Sequence, residues 1–462
     1  MRVPRFDPPS RAILLTLAGV VLALIAASAC RSKPSPTSGG RPAGSASALA
    51  SAAGTPSAAC RELPNAGSLL LGSAAPETPA SEEELELELP YSVELGRARA
   101  GVAAFAVGGI ENRGGASYAF VALVSAATDS AKSVELARVH GDVEPPLLAP
   151  FRDGFLAAVP DSDAAGGVLR VFALEPPFSA EARRRGPELG SVRRDASGFA
   201  LETSGARALL AFTTLDEGQG RIALAVIDPA GPALRGEVRR APAGVGGADS
   251  DAESPRLARR GSGYYLAYIA RKQGARKALD SDADAGSSEA LLDEGPSAIE
   301  VVPLDVDGNA TSSPRRITPD GASVIAFDLS ATPDGGALVI YRDEARGPGL
   351  DRPSLQAVHV RADGSFAQRT WEVGESAGLA TVLIDAAAKN VPWAWIGLSD
   401  ESQTRLSPLG SDPLSWIEPD PGHSVLGAEL LAASGSRFLS LRPRGRQREL
   451  SVVTCATGAT RR

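Results

Sequence analysis

Gly263-Tyr264-Tyr265-Leu266-Ala267-Tyr268 is a short apolar run entered from a Gly turn, and it has six counterparts along the chain. GVAAF ends at Phe105, GFLAAV at Val159, RALLAF at Phe212, GALVIY at Tyr341, VPWAW at Trp395 and SRFLSL at Leu441. The successive intervals are 54, 53, 56, 73, 54 and 46 residues, so one period near 53 dominates. A second marker keeps step with the first. The strand-then-turn units VIDPAG (Asp228–Gly231), PLDVDG (Asp307–Gly308) and HVRADG (Asp363–Gly364) follow three of the runs at a similar distance. Asp-Gly and Pro-Ala-Gly between apolar runs are hairpin signals, because Gly accepts the positive φ of a tight turn. The long interval holds an extra polar stretch, about 273–294, whose removal restores the period.

A period near 50 made of short strands and turns, with no long amphipathic helix, predicts an all-β fold: a single β-propeller of seven blades. One blade cannot bury its faces alone, so the blades must pack on one another. Two stacked β-sandwiches are the runner-up, weakened by the single period. After Val425 there is room for three strands only: VLGAELL, SRFLSL and ELSVV. The fourth is expected from the N-terminal region, where Glu84–Leu89 alternates Glu and Leu with the period of a half-buried strand.

At the other end, Arg2, Arg5 and Arg11 precede the apolar stretch Ala12–Ala29, which Ala27-Ser28-Ala29 closes before Cys30. This has the order of a secretory signal, and it resembles the lipobox of a bacterial lipoprotein, with Ala27 where Leu is usual. The whole resembles the propeller-repeat lipoproteins of bacteria with two membranes. The resemblance implies cleavage of residues 1–29, lipid attachment at Cys30, and an anchor in the cell envelope. With Arg31 rather than Asp after the Cys, the outer membrane is expected over the inner. An uncleaved anchor helix is the alternative.

Residues 31–59 are Ser, Ala, Gly, Pro or Thr at 25 of 29 positions, the composition of a flexible linker of roughly 30 Å end to end. The propeller domain is then expected over 60–457, with 458–462 as a tail. With Cys30 lipidated, Cys60 and Cys455 remain at the two ends of that domain, in an oxidising compartment. They are expected to pair and to lock the ring; two unpaired thiols are the alternative.

The net charge is −8 for the whole chain, and about −10 once residues 1–29, with three Arg and one Asp, are removed. An acidic body argues against nucleic-acid partners. Few motifs suggest chemistry. Asp280, Asp282 and Asp284 alternate as in a calcium loop, but Ala285 stands where such a loop wants Gly and Leu291 where it wants Glu. A solvated acidic loop is the ordinary reading. Gly422-His423-Ser424 only partly matches a nucleophile elbow, and Thr332-Pro333-Asp334-Gly335-Gly336 resembles part of the structural Asp box of sialidase-like propellers. His140, His359 and His423 lack metal-ligand spacing, and neither a P-loop nor a dinucleotide fingerprint occurs. No catalytic residue and no cofactor is assigned, calcium being the one candidate. The expected function is a non-catalytic envelope module, more binding protein than enzyme, that takes a protein or glycan partner. Two alternatives are a propeller hydrolase or lyase acting on a polysaccharide, and a calcium-dependent adhesin. The enzyme predicts carboxylates and Arg or Tyr converging at the channel mouth.

Overall fold

The computed structural model describes residues 60–72 and 91–455 apart from short stretches, the longest being 273–295, 345–353, 373–392 and 409–423. The described strands form seven sheets in chain order. Sheets 1 to 5 cover residues 91–139, 147–192, 197–240, 250–316 and 324–372, each with four antiparallel strands laid side by side in sequence order. Sheet 6 covers 393–426 with three strands, and sheet 7 covers 429–455 with three strands of its own and two short N-terminal ones. The fold is an all-β propeller.

The apolar runs that set the period are the second strands of sheets 1 to 5 and 7. Second strands are paired on both edges and covered on both faces, which is why they read as continuous apolar stretches. Their ends go into the core: Phe105, Phe212, Tyr268 and Tyr341 are all at most 1% exposed. The second marker is the exit from third strands. Gly308 (φ 75°) and Gly364 (φ 83°) take the left-handed conformation that their Asp-Gly turns require.

Packing follows the ring. One apolar cluster joins sheets 1 and 2 through Ile110, Leu136, Phe155 and Phe172. A second joins sheets 2 and 3 through Leu156, Phe199 and Phe212. The next two join sheets 3 to 4 around Tyr264 and Tyr268, and sheets 4 to 5 around Tyr265 and Tyr341. A fifth joins sheet 7 to sheet 1, with Leu439, Leu450 and Val452 against Phe105, Val107 and Phe120. The seams are tight. A Cβ on Gly108 of sheet 1 would lie 2.1 Å from the Pro146 carbonyl oxygen at the edge of sheet 2.

Closure differs from the expectation in two respects. Glu84–Leu89 lies outside the described residues, and the edge of the last strand is taken by an N-terminal segment earlier in the chain. It is Cys60–Glu62 followed by Ser68–Leu71, both antiparallel to the last strand, Gln447–Cys455. A short strand of leucines, SLLL, puts Leu71 in the core between sheets 7 and 1, which an acidic Glu/Leu alternation does less well. The VLGAELL run is also split: Ser424–Leu426 pairs in sheet 6, and sheet 7 begins at Glu429. The signal segment 1–29, Cys30, the linker 31–59, the insertion with Asp280, Asp282 and Asp284, and the tail 458–462 lie outside the described residues.

Candidate functional site

The first strands of sheets 1, 3, 4, 5 and 7 each break register. The breaks fall at Leu95/Ala98, Ser197/Ala200, Glu253/Arg256, Val324/Ala326 and Leu430/Ala432. A bulge inserts one residue and re-aims the side chains beside it. Here the inserted residues turn toward one place: Gly96, Gly198, Ser254, Ile325 and Leu431 all line a cavity of about 570 Å³. That volume lies within the range of small-ligand sites. Two of the bulges are held by positive φ. Ser254 sits at φ 52° and donates its N–H to Thr213 Oγ1 at 3.1 Å. Gly198 sits at φ 63° and donates its N–H to Glu144 Oε1 at 2.7 Å. A non-glycine residue in that region marks backbone strain of the kind stored at working sites.

The charged groups of the cavity come from Glu94, Arg97, Arg99, Glu144, Arg256 and Asp328. Ala98 is buried in the core between sheets 7 and 1, so strand alternation sends Arg97 and Arg99 to the opposite face, into the cavity. Arg97 meets Asp328 two-fold, Nη1 to Oδ1 at 2.6 Å and Nη2 to Oδ2 at 3.1 Å, and Nη2 also donates to the Leu329 carbonyl at 3.2 Å. Sheets 1 and 5 are not neighbours in the ring, so this ion pair reaches across it. Arg99 gathers sheets 2 and 3: Nε donates to Leu148 O at 3.1 Å, Nη2 to Leu201 O at 3.4 Å, and Glu202 stands 3.8 Å away. Arg256 donates to the adjacent Pro255 carbonyl at 3.0 Å and lies 5.8 Å from the centre of the Phe327 ring.

Burial holds the Arg99 guanidinium below its ordinary pKa, helped by the like charge of Arg97 and opposed by Glu202 and Asp328. Arg256 is lowered by burial as well, with Asp328 and Glu144 favouring its charge and Arg97 disfavouring it. Both remain cations, because a guanidinium does not deprotonate in proteins. The site is thus a half-buried cluster of three arginines and three carboxylates, formally balanced in charge.

The residues singled out from sequence fall elsewhere. Cys60 is register partner of Cys455, on adjacent antiparallel strands. Asp334 sits in the hairpin between the first two strands of sheet 5. It accepts from the Thr332 hydroxyl and from Gly336 N–H at 3.2 Å, and stands 3.1 Å from His359 Nε2. Burial works to raise the Asp334 carboxyl, but those donors outweigh it and hold it below the usual carboxylate range. The box is a structural turn. Ser424 belongs to a strand of sheet 6, not to a strand-to-helix elbow. His140 contacts Asp161, through its N–H at 2.8 Å and Nδ1 at 3.2 Å. Among the described residues, no group of three His, Cys, Asp or Glu is placed to hold a metal ion. The channel arginines were not among the sequence candidates. Their signal was present in Gly96-Arg97-Ala98-Arg99-Ala100, where two cations alternate with small residues inside a strand.

No family model matches the chain, and no curated protein matches it. Solved structures similar to it include a polysaccharide lyase, Uly1, at 11% identity and TM-score 0.47, covering 76% of this chain and 88% of that one. The β-propeller domain of the Trilobed protease from Pyrococcus furiosus is similar at 11% identity and TM-score 0.43, covering 78% and 93%. The α-L-arabinofuranosidase of Fusarium graminearum, solved with arabinobiose, is similar at 12% identity and TM-score 0.41, covering 78% and 93%. At these values the likenesses carry no argument about activity.

Proposed function

We propose that the protein is an envelope-anchored propeller that acts on a polysaccharide at its channel, cleaving the chain by hydrolysis or elimination. The observation that supports this reading is convergence. Guanidinium and carboxylate groups from sheets 1, 4 and 5 and from the connection between sheets 1 and 2 meet in one bulge-lined cavity, where a scaffold needs only an apolar or featureless channel. Either reaction requires a group that moves a proton, which a carboxylate can supply, and is helped by cations that balance developing charge. Glu144 is the carboxylate proposed for that role, oriented by the Gly198 N–H. Arg97, Arg99 and Arg256 supply the cations.

Binding without cleavage is the second reading, and one observation favours it. Asp328 and Glu144 already have N–H partners within the protein, as ligand-positioning groups often do. Incubation with a panel of polysaccharides distinguishes the two. Cleavage predicts new reducing ends, or unsaturated products if by elimination, and a loss of about 100-fold or more in Glu144→Gln. Binding with no new ends would leave the second reading standing. Neither binding nor cleavage across the panel would overturn both.

A further inference from the structure

Resting on the polysaccharide reading, we propose that the channel selects anionic sugars, with the Arg256 guanidinium as the group that takes their carboxylate or sulfate. The arginines of the cavity are not equivalent. Arg97 is held two-fold by Asp328, and Arg99 donates to two carbonyls with Glu202 beside it. Among the described residues, Arg256 has no ion pair within 4.0 Å; its one hydrogen bond goes to the carbonyl of its own neighbour, Pro255, the centre of the Phe327 ring lies 5.8 Å away, and Asp328 and Glu144 favour its charge from beyond pairing distance. A guanidinium carries five N–H donors in a planar fork suited to a carboxylate or sulfate. Most of those donors are therefore unused on a cation that is half buried.

Position strengthens the assignment. Arg256 follows the Ser254 bulge directly, so a strained backbone segment fixes where the side chain leaves the strand. The Phe327 ring, whose centre is 5.8 Å from the guanidinium carbon, takes none of its N–H donors. Burial that lowers the Arg256 pKa also means that its charge is short of solvent, and an anionic partner replaces that solvation. Glu94, exposed in the lining of the same cavity, supplies the opposite pressure: it repels anionic chains and limits their affinity.

Calorimetric titration of the intact domain with polygalacturonate, a sulfated galactan, neutral arabinan and poly-glutamate tests this. The proposal expects tight binding to one or both anionic glycans and at least tenfold weaker binding to arabinan. It expects Arg256→Gln to lose about tenfold or more toward the anionic chains alone. Preference between the first two ligands identifies carboxylate or sulfate as the natural group. Should Arg256→Gln fail to fold, Glu94→Gln decides: tighter binding to the anionic glycans supports the proposal, and unchanged binding overturns it. Arabinan bound as well as polygalacturonate overturns the selection while leaving the polysaccharide reading intact. Binding of no polysaccharide overturns that reading first. Poly-glutamate bound as tightly as the glycans would make the site one for acidic peptides, which also overturns the proposal.

Discussion

Arg97 joins parts of the chain 231 residues apart through its pair with Asp328. Only part of each side chain is solvent-exposed, 26% for Arg97 and 10% for Asp328, so the pair is less screened than a surface one. Arg97→Met removes the cation that meets Asp328 two-fold and should cost about 1–3 kcal/mol, read by urea denaturation. Adding Asp328→Leu should recover most of the loss; no recovery would mean that Arg97 acts through packing alone. Asp334 gives a test in pH. Its folded pKa is lowered, so its contribution is fully present above the ordinary carboxylate pKa and is lost as pH falls through the folded value. Asp334→Asn should therefore lower the melting temperature at neutral pH, and the deficit should shrink as the pH falls below the ordinary carboxylate value of about 4. A deficit that does not shrink would contradict the assignment. Asp334 was legible as a turn from its neighbours in sequence. Arg97 and Arg256 were not, because what distinguishes them is a partner, or the lack of one, hundreds of residues away.

Among elements, the first strands carry the site and the second strands carry the sequence signal. Second strands are apolar throughout because both faces are buried, so their period could be read directly from residues. First strands combine core residues with bulges, and a bulge shifts the alternation by one residue in the middle of the strand. That shift hides the pattern at Gly96, Gly198, Ser254, Ile325 and Leu431, which are the positions that line the cavity. The closing strand was misplaced for a related reason. Alternation at Glu84–Leu89 is a strong local signal, whereas the strand that closes sheet 7 is two pieces of three and four residues. Their register makes Cys60 and Cys455 partners, and opposed Cα atoms in an antiparallel pair stand about 4.5–5.5 Å apart, within disulfide range. We propose that they are bonded in the exported protein. Non-reducing peptide mapping should recover a Cys60–Cys455 peptide, and reduction should lower stability by about 2–4 kcal/mol. Two free thiols would refute the clasp.

The whole molecule proposed here is an anchored object: lipid at Cys30, linker, and an acidic propeller whose channel faces its substrate. The anchor has its own test, since labelled fatty acid should be incorporated by the full chain expressed in a diderm host and not by Cys30→Ala. Labelling of both would contradict lipidation at that residue. The acidic balance of the body sharpens the meaning of the channel. A chain of net charge −8 repels anionic polymers at long range, so an anionic glycan can be retained only where a cation is held partly desolvated. Arg256, half buried and outside any ion pair within 4.0 Å among the described residues, is the cation proposed to retain it. A second cavity, of about 360 Å³ between sheets 4 and 5, places Arg260 and Arg315 beside Tyr265 and Phe366 and is the natural competitor for any ligand. A crystal structure of the protein with a polygalacturonate oligosaccharide separates them most directly. The account predicts sugar density in the bulge-lined channel, with a carboxylate on the Arg256 guanidinium. Density confined to the groove between sheets 4 and 5, with the channel empty, would contradict it.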